Sequence, residues 1–311
     1  MHIAIVGTGR LGRVIAYTLV QEDYVSELSL VDIVPNLTKA LREELKHVLA
    51  GIGKDVEIHA YEKPSEVSNA DIILITAGKP RTADMTRREL ITVNAKIMAS
   101  IAREIYDNNK HARFIIIANP CDALATLFKK LTNAEFVISS GNHLDSIRFR
   151  AELSKRLGVS VREISAFVGG EHGKNSVFPW SLVRIKGLSF DEFIKVHNIK
   201  ISKTEIEESV REVAREIIRN LGATLYGPAI AFRDIVRSIA LNEGRILSIA
   251  SPFKFPEIPE EVMVNIPRVV NWTLGPTLYD YLTDEEKEKI REAAKVIHET
   301  YEIALKVIEG H

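Results

Sequence analysis

The sequence predicts an α/β fold, a doubly wound parallel sheet followed by an α+β unit, from three observations. Short, almost wholly apolar runs alternate with longer helical patterns through the first half of the 311 residues. The first run leads directly into Gly7-Thr8-Gly9-Arg10-Leu11-Gly12 and then into a helical stretch. After about residue 142 the alternation gives way to helices mixed with short strand patterns.

His2–Val6, Leu28–Val31, Asp71–Thr76, Phe114–Ala118 and Phe136–Ser139 read as strands. They are nearly all apolar rather than alternating, as expected of strands covered on both faces. Arg10–Gln21, Asn36–Leu49, Arg88–Asn108 and Cys121–Leu131 read as the helices between them. Such alternation implies right-handed crossovers in a parallel sheet. Beyond it, Leu144–Leu157 reads as a helix, Ile164–Val168 as a strand and Val177–Ile185 as antiparallel strands. Lys203–Ile218 reads as a helix that resumes after Gly222. Asp284–Glu309 is an amphipathic helix with Ile290, Ala293, Ala294, Ile297, Tyr301 and Leu305 on one face. Thr283 and Glu286 form a capping box at its start. The division expected is 1–141 for a dinucleotide-binding domain and 142–311 for a substrate domain.

Composition narrows the classes. Charged residues make up 27%, and the net charge of −1 gives no overall attraction to nucleic acid or anionic membrane. No apolar run nears the roughly 18–20 residues that span a bilayer. Cys121 is the single cysteine, so neither a disulfide framework nor a thiolate metal cluster is expected. The strand at His2 leaves no room for a leader; a cytoplasmic protein without a metal is the expectation. Gln21 is the single glutamine among abundant Lys, Arg and Glu, a bias that leans toward a heat-adapted source.

In a Rossmann-type fold each glycine of Gly7, Gly9 and Gly12 has a task. The first permits the tight turn, the second lets a pyrophosphate approach the backbone, and the third allows close helix–strand packing. The helix beginning near Arg10 and Leu11 offers free N–H groups and a partial positive charge. Asp32 stands 20 residues after Gly12 at the end of the second strand. A carboxylate there accepts from a ribose diol and repels a 2′-phosphate, so NAD rather than NADP is expected. The plainer alternative is a glycine-rich turn with a helix-capping Asp.

Four further clusters follow: Ala77-Gly78-Lys79-Pro80-Arg81-Thr82-Ala83-Asp84-Met85-Thr86-Arg87-Arg88, Asn119-Pro120, Leu144-Asp145-Ser146-Ile147-Arg148-Phe149-Arg150 and Gly170-Glu171-His172-Gly173. In this order, behind the glycine motif, the chain resembles the malate/lactate dehydrogenase family over nearly its whole length. The resemblance implies an NAD-dependent enzyme moving a hydride between a 2-hydroxy and a 2-oxo acid. His172 suits proton transfer because an imidazole titrates near neutrality; a loop histidine is the plainer reading. The resemblance gives it Asp145 as partner and gives Arg148 the substrate's C1 carboxylate, the two side chains diverging from one helix face. A surface Asp–Arg pair is the alternative. It also implies that Arg87 polarises the substrate carbonyl and that Arg81 meets a second carboxylate, which favours malate/oxaloacetate over lactate/pyruvate. Without the resemblance both arginines read as a solvated loop. Asn119 is implied to orient the substrate oxygen beside the cofactor, with an Asx turn before Pro120 as the alternative. Thr8, Ala77, Gly78 and Asn94 are implied at the cofactor. Thr224, in a segment resembling a substrate-wall helix, is implied at the substrate, or else is a helix-interior threonine. A homo-oligomer, tetrameric or dimeric, and a place in the tricarboxylic acid cycle are further implications.

The chain departs from the family pattern at Ala83-Asp84, where Pro-Gly is usual, and at Lys174, where an acid is usual. Trp272 and Pro276 stand where a simpler hairpin is expected. A lactate-type or broader 2-hydroxy acid dehydrogenase stays open, as does a non-catalytic NAD-binding protein. NAD-dependent glycosidases need metal-binding Cys and His positions that are not found here.

Overall fold

Every residue of β1 (His2–Val6) is buried, which its unbroken apolar run anticipates. The computed structural model describes residues 1–80 and 85–310, without the Arg87 side chain. Arg81, Ala83 and Asp84 lie outside the described residues, as does the Arg87 guanidinium. After β1 come α1 (Arg10–Val20), β2 (Glu27–Val31), α2 (Leu37–Ile52), β3 (Glu57–Tyr61) and β4 (Ile72–Ile75). Then follow α3 (Arg87–Ile105), β5 (Arg113–Ile116), α4 (Cys121–Thr132) and β6 (Phe136–Ser139). These strands pair in parallel in the order β3-β2-β1-β4-β5-β6. The order reverses between β1 and β4, and ligands of such sheets bind outside the strand ends at that point.

Alternate residues of each strand face opposite layers. Val6, Ile73, Ile75, Phe114 and Ile116 pack against Met98 of α3 and Leu124 and Phe128 of α4. Ile3, Ile5, Ile72, Leu74 and Ile115 pack against Ile15 and Leu19 of α1 and Leu41 and Leu45 of α2.

The second half contains α5 (Asn142–Leu157), β7 (Ile164–Ser165), β8 (Gly169–Gly170), β9 (Ser176–Val177), β10 (Arg184–Ile185) and β11 (Leu188–Ser189). It continues with α6 (Phe190–Val196), α7 (Lys203–Leu221), α8 (Tyr226–Ala240), β12 (Arg245–Phe253), β13 (Val262–Val270), β14 (Leu274–Thr277) and α9 (Asp284–Glu309). The large sheet runs on from β6 through β12, β13 and β8 to β9. β12 and β13 form a nine-residue antiparallel ladder, and Ala250 opposite Ser139 joins it to β6. Tyr301 and Ala304 of α9 enter the core of the first half, while Ile290 and Ile297 pack under β13. One helix thereby spans both halves. Its start is the expected capping box, with Thr283 accepting from the Glu286 N–H and Glu286 accepting from the Thr283 N–H.

Several readings change. Glu57–Tyr61 and Arg245–Phe253 are strands the sequence reading did not single out. β3 lies at the sheet edge with Ile58 alone fully buried, so no continuous apolar run marks it. β12 interrupts its apolar positions with Ser248 and Ser251, both buried and hydrogen-bonded. Within Val177–Ile185, strand pairs flank a 3₁₀ turn at Trp180–Leu182. Trp272 and Pro276 do not abolish the hairpin, since β13 and β14 pair antiparallel. The Trp272 ring lies 4.1 Å from the Arg113 guanidinium and its carbonyl accepts from Arg113 Nε, so a contact within the chain accounts for it. No helix among the described residues is long and apolar enough to cross a membrane.

Candidate active site

The end of β1 and the start of α1 form an open edge that only glycine backbones allow. Gly7 has φ +97, and a Cβ there would lie 2.5 Å from the Ala77 nitrogen. A Cβ on Gly12 would lie 2.0 Å from the Gly7 carbonyl oxygen, so glycine is required where α1 crosses β1. A Cβ on Gly9 would meet nothing within 4 Å. Open space therefore stands over the N-terminus of α1, whose N-cap Gly9 has no side chain to fill it. Free N–H groups facing open space are what a pyrophosphate needs. Arg10 and Leu11 begin α1 at this edge.

Asp32 follows β2 directly. Its Oδ2 accepts from the Thr8 N–H (2.7 Å) and Thr8 Oγ1 (3.2 Å), and its Oδ1 accepts from the Val34 N–H (3.0 Å). The carboxylate is thus fixed beside the glycine turn with one edge toward solvent. These residues fit a dinucleotide whose ribose reaches Asp32.

At the ends of β4 and β5 the cofactor edge is tied together by Asn94 of α3. Its Oδ1 accepts from the Lys79 N–H (2.7 Å), while Nδ2 donates to the Lys79 carbonyl (3.1 Å) and the Asn119 carbonyl (2.6 Å). Asn94 is buried, so its amide acts on this edge through the backbones of Lys79 and Asn119. Gly78 sits in the same junction, where a Cβ would stand 3.0 Å from Ala118 Cβ. Asn119, next to a cis peptide with Pro120, is exposed at the sheet edge.

His172 follows β8 and meets α5. Asp145 Oδ2 accepts from His172 Nδ1 at 3.0 Å. Because a carboxylate can only accept, Nδ1 carries the proton and Nε2 is left to exchange one. Nε2 has no hydrogen-bond partner among the described residues, and the side chain is 25% exposed, enough for a substrate to reach it. The other oxygen of Asp145 accepts from Arg148 Nη1 at 2.9 Å, and Arg148 Nη2 donates to Thr224 Oγ1 at 3.3 Å. The expectation that Asp145 and Arg148 diverge is therefore corrected: their i,i+3 spacing lets one carboxylate bond both cations. Thr224 lies in the loop between α7 and α8, not in a helix as its segment suggested. Gly222 at φ +73 ends α7 and sets that loop.

Burial opposes charge on His172, but the Asp145 carboxylate, its hydrogen bond and Asp122 outweigh that effect and raise the imidazole above its ordinary 6.5. Burial likewise pushes Asp145 up, and His172 with Arg148 pulls it below the usual carboxylate range.

Two supports escaped the sequence reading. Gly141, the N-cap of α5, lies against the imidazole, and a Cβ there would come 1.8 Å from His172 Cγ. Asn142 Nδ2 donates to the Gly169 carbonyl (2.6 Å), holding the strand before His172. A glycine two residues past a strand and directly before the Asp145 helix was the available signal for Gly141.

Strand order, a glycine-lined dinucleotide edge and an Asp-oriented histidine beside an arginine together define a nicotinamide-dinucleotide oxidoreductase. The particular family follows from comparison with known proteins. Residues 1–136 match the lactate/malate dehydrogenase NAD-binding domain, and residues 142–307 match the lactate/malate dehydrogenase alpha/beta C-terminal domain. The chain belongs to the lactate/malate dehydrogenase family, and its cofactor is NAD. It is 38% identical over 309 residues to a malate dehydrogenase of Sulfolobus acidocaldarius, covering 99% of this chain and 98% of that protein. It is 32% identical to an L-lactate dehydrogenase of Staphylococcus epidermidis, covering 96% of each. Among solved structures it is similar to a malate dehydrogenase from Archaeoglobus fulgidus in complex with NADH, with TM-score 0.87, 31% identity and coverage of 97% and 99%.

Gly141→Ala is expected to push the imidazole off Asp145, lowering kcat by about 10²-fold, the usual cost of misplacing a reacting group by an ångström. NADH affinity, measured by fluorescence titration, should stay unchanged. A wild-type kcat in the Gly141→Ala variant would show that the ring does not need this space.

Proposed function

We propose that this chain is an NAD-dependent malate dehydrogenase interconverting malate and oxaloacetate, with residues 1–141 holding the cofactor and 142–311 most of the substrate site. The observation that carries the dehydrogenase chemistry is the His172–Asp145 pair, which leaves Nε2 without a partner among the described residues and reachable beside Arg148. NAD, when bound, takes or gives the hydride. Gly7, Thr8, Gly9, Arg10, Leu11 and Gly12 hold its pyrophosphate in this reading, Asp32 its adenosine ribose, and Ala77, Gly78, Asn94 and Asn119 the edge nearer the nicotinamide.

His172 is the proton-transfer group. Its imidazolium donates from Nε2 to the oxygen of the 2-oxo acid during reduction, and the neutral ring takes that proton back during oxidation. Asp145 fixes the tautomer and offsets the imidazolium charge. Arg148 binds the C1 carboxylate with guanidinium donors left after those to Asp145 and Thr224. Asn119 orients the substrate oxygen. Arg87 polarises the carbonyl and Arg81 binds the second carboxylate. Malate is supported by Arg81 in the sequence and by the identity with malate dehydrogenases across nearly the full chain. Oxaloacetate brings a second carboxylate to the Arg81 guanidinium and pyruvate brings none, so Arg81 favours oxaloacetate over pyruvate. Family likeness further supports a homo-oligomer, most simply a tetramer, working in the cytoplasm within the tricarboxylic acid cycle.

Two measurements test this reading. Initial rates of NADH oxidation should favour oxaloacetate over pyruvate by several orders of magnitude. Arg81→Gln should remove about 10³-fold or more of that margin. Comparable wild-type rates with both substrates would remove the malate assignment while leaving the dehydrogenase. The second concerns pH. Oxidation needs neutral His172, so its rate should fall as pH drops through a value above 6.5. Asp145→Asn removes the charge that raises this value, so the midpoint should move down, with kcat lower by about 10²–10⁴-fold. A midpoint unmoved by Asp145→Asn would assign the titration to another group.

A further inference from the structure

Asp122 is buried in the first turn of α4, three residues after Asn119. Its carboxylate is used at both oxygens. Oδ1 accepts from Ser139 Oγ (2.7 Å) and from the Cys121 thiol (3.4 Å). Oδ2 accepts from the His172 backbone N–H (2.9 Å) and Asn265 Nδ2 (3.1 Å). One side chain from the first half thus binds the end of β6, a residue of β13 and the main chain of the histidine. Four donors converge on this carboxylate and hold it in the first turn of α4.

We propose that Asp122 is a positioning residue for the proton-transfer step: it fixes the backbone of His172 relative to Asn119 and places a second negative charge near the imidazole. The inference rests on the reading of His172 as the proton-transfer group. Asn119 lies just before α4 and Asp122 in its first turn, so the substrate-orienting amide and the histidine anchor are three residues apart. Among the described residues the charged groups acting on the imidazole are Asp145 and Arg148 from α5 and Asp122 from α4. Arg148 opposes the protonated ring, while the two carboxylates favour it. Asp122 reaches His172 through the backbone and through charge; Asp145 reaches it through the ring itself.

Asp122→Asn separates these effects, because an amide oxygen can still accept from the His172 N–H while its NH₂ donates to a reoriented Ser139 hydroxyl. The pH profile of kcat/KM for malate oxidation is the readout, with NADH binding and thermal unfolding as controls. The acid-side midpoint should fall by about half a pH unit or more, and kcat several-fold, with NADH affinity within about twofold of wild type. Asn265→Leu strips one donor from the oxygen that holds His172, leaving its charge less neutralised. The midpoint should then rise, so the two variants move it in opposite directions. A merely structural Asp122 would lower the melting temperature without moving the midpoint, and a wild-type midpoint in the Asp122→Asn variant overturns the proposal. Should that variant fail to fold, an unchanged or lowered midpoint with Asn265→Leu does the same. His172→Asn keeps the two readings distinct: turnover near the wild-type rate removes the role of His172. An inert His172→Asn variant together with an unshifted Asp122→Asn profile removes only that of Asp122.

Discussion

Asp145 divides one carboxylate between His172 Nδ1 and Arg148 Nη1, at 3.0 and 2.9 Å. Those two bonds settle the tautomer of the ring, the direction of the guanidinium and the protonation state of the acid between them. A buried carboxylate between two cations stays ionised because each neighbour repays part of its lost hydration. Remove it and an arginine and an imidazole face each other without the carboxylate that bonds both. Three neighbouring residues support this geometry: Gly141 leaves room for the ring, Asn142 holds the strand leading to it, and Thr224 steadies the far side of Arg148.

Four of the described side chains balance in charge: protonated His172 and Arg148 match Asp145 and Asp122. Loss of the histidine proton leaves these four net negative. An incoming substrate carboxylate therefore favours the protonated ring, the form that reduction requires. Binding and proton loading are coupled in this reading through charges the fold already holds.

How much of this was legible in the sequence depends on whether the cause is local. The glycine turn was legible because Gly7 and Gly12 are demanded by contacts that any βαβ unit with this crossing makes. Strands of the first half were legible because two-sided burial leaves a continuous apolar run; β3, at the edge, and serine-interrupted β12 leave none. The capping box at Thr283 is a four-residue pattern and was read directly. The pairing of His172 with Asp145 spans 27 residues and came from family resemblance, not spacing. Asp122 meets His172 across 50 residues, and Gly141 matters only because an imidazole lies against it. No periodicity or local motif encodes such contacts. The shared use of Asp145 was missed because the sequence treats the helix pair and the catalytic pair as rivals, whereas a carboxylate with two oxygens serves both.

The large sheet does not stop where the first half ends: β6 joins β12, and α9 packs into both halves. Opening the molecule as a hinge would tear strand pairing and expose core at once. The scaffold is accordingly a jig rather than a jaw. It joins the glycine-lined edge and the His172–Asp145 pair through one sheet and one helix.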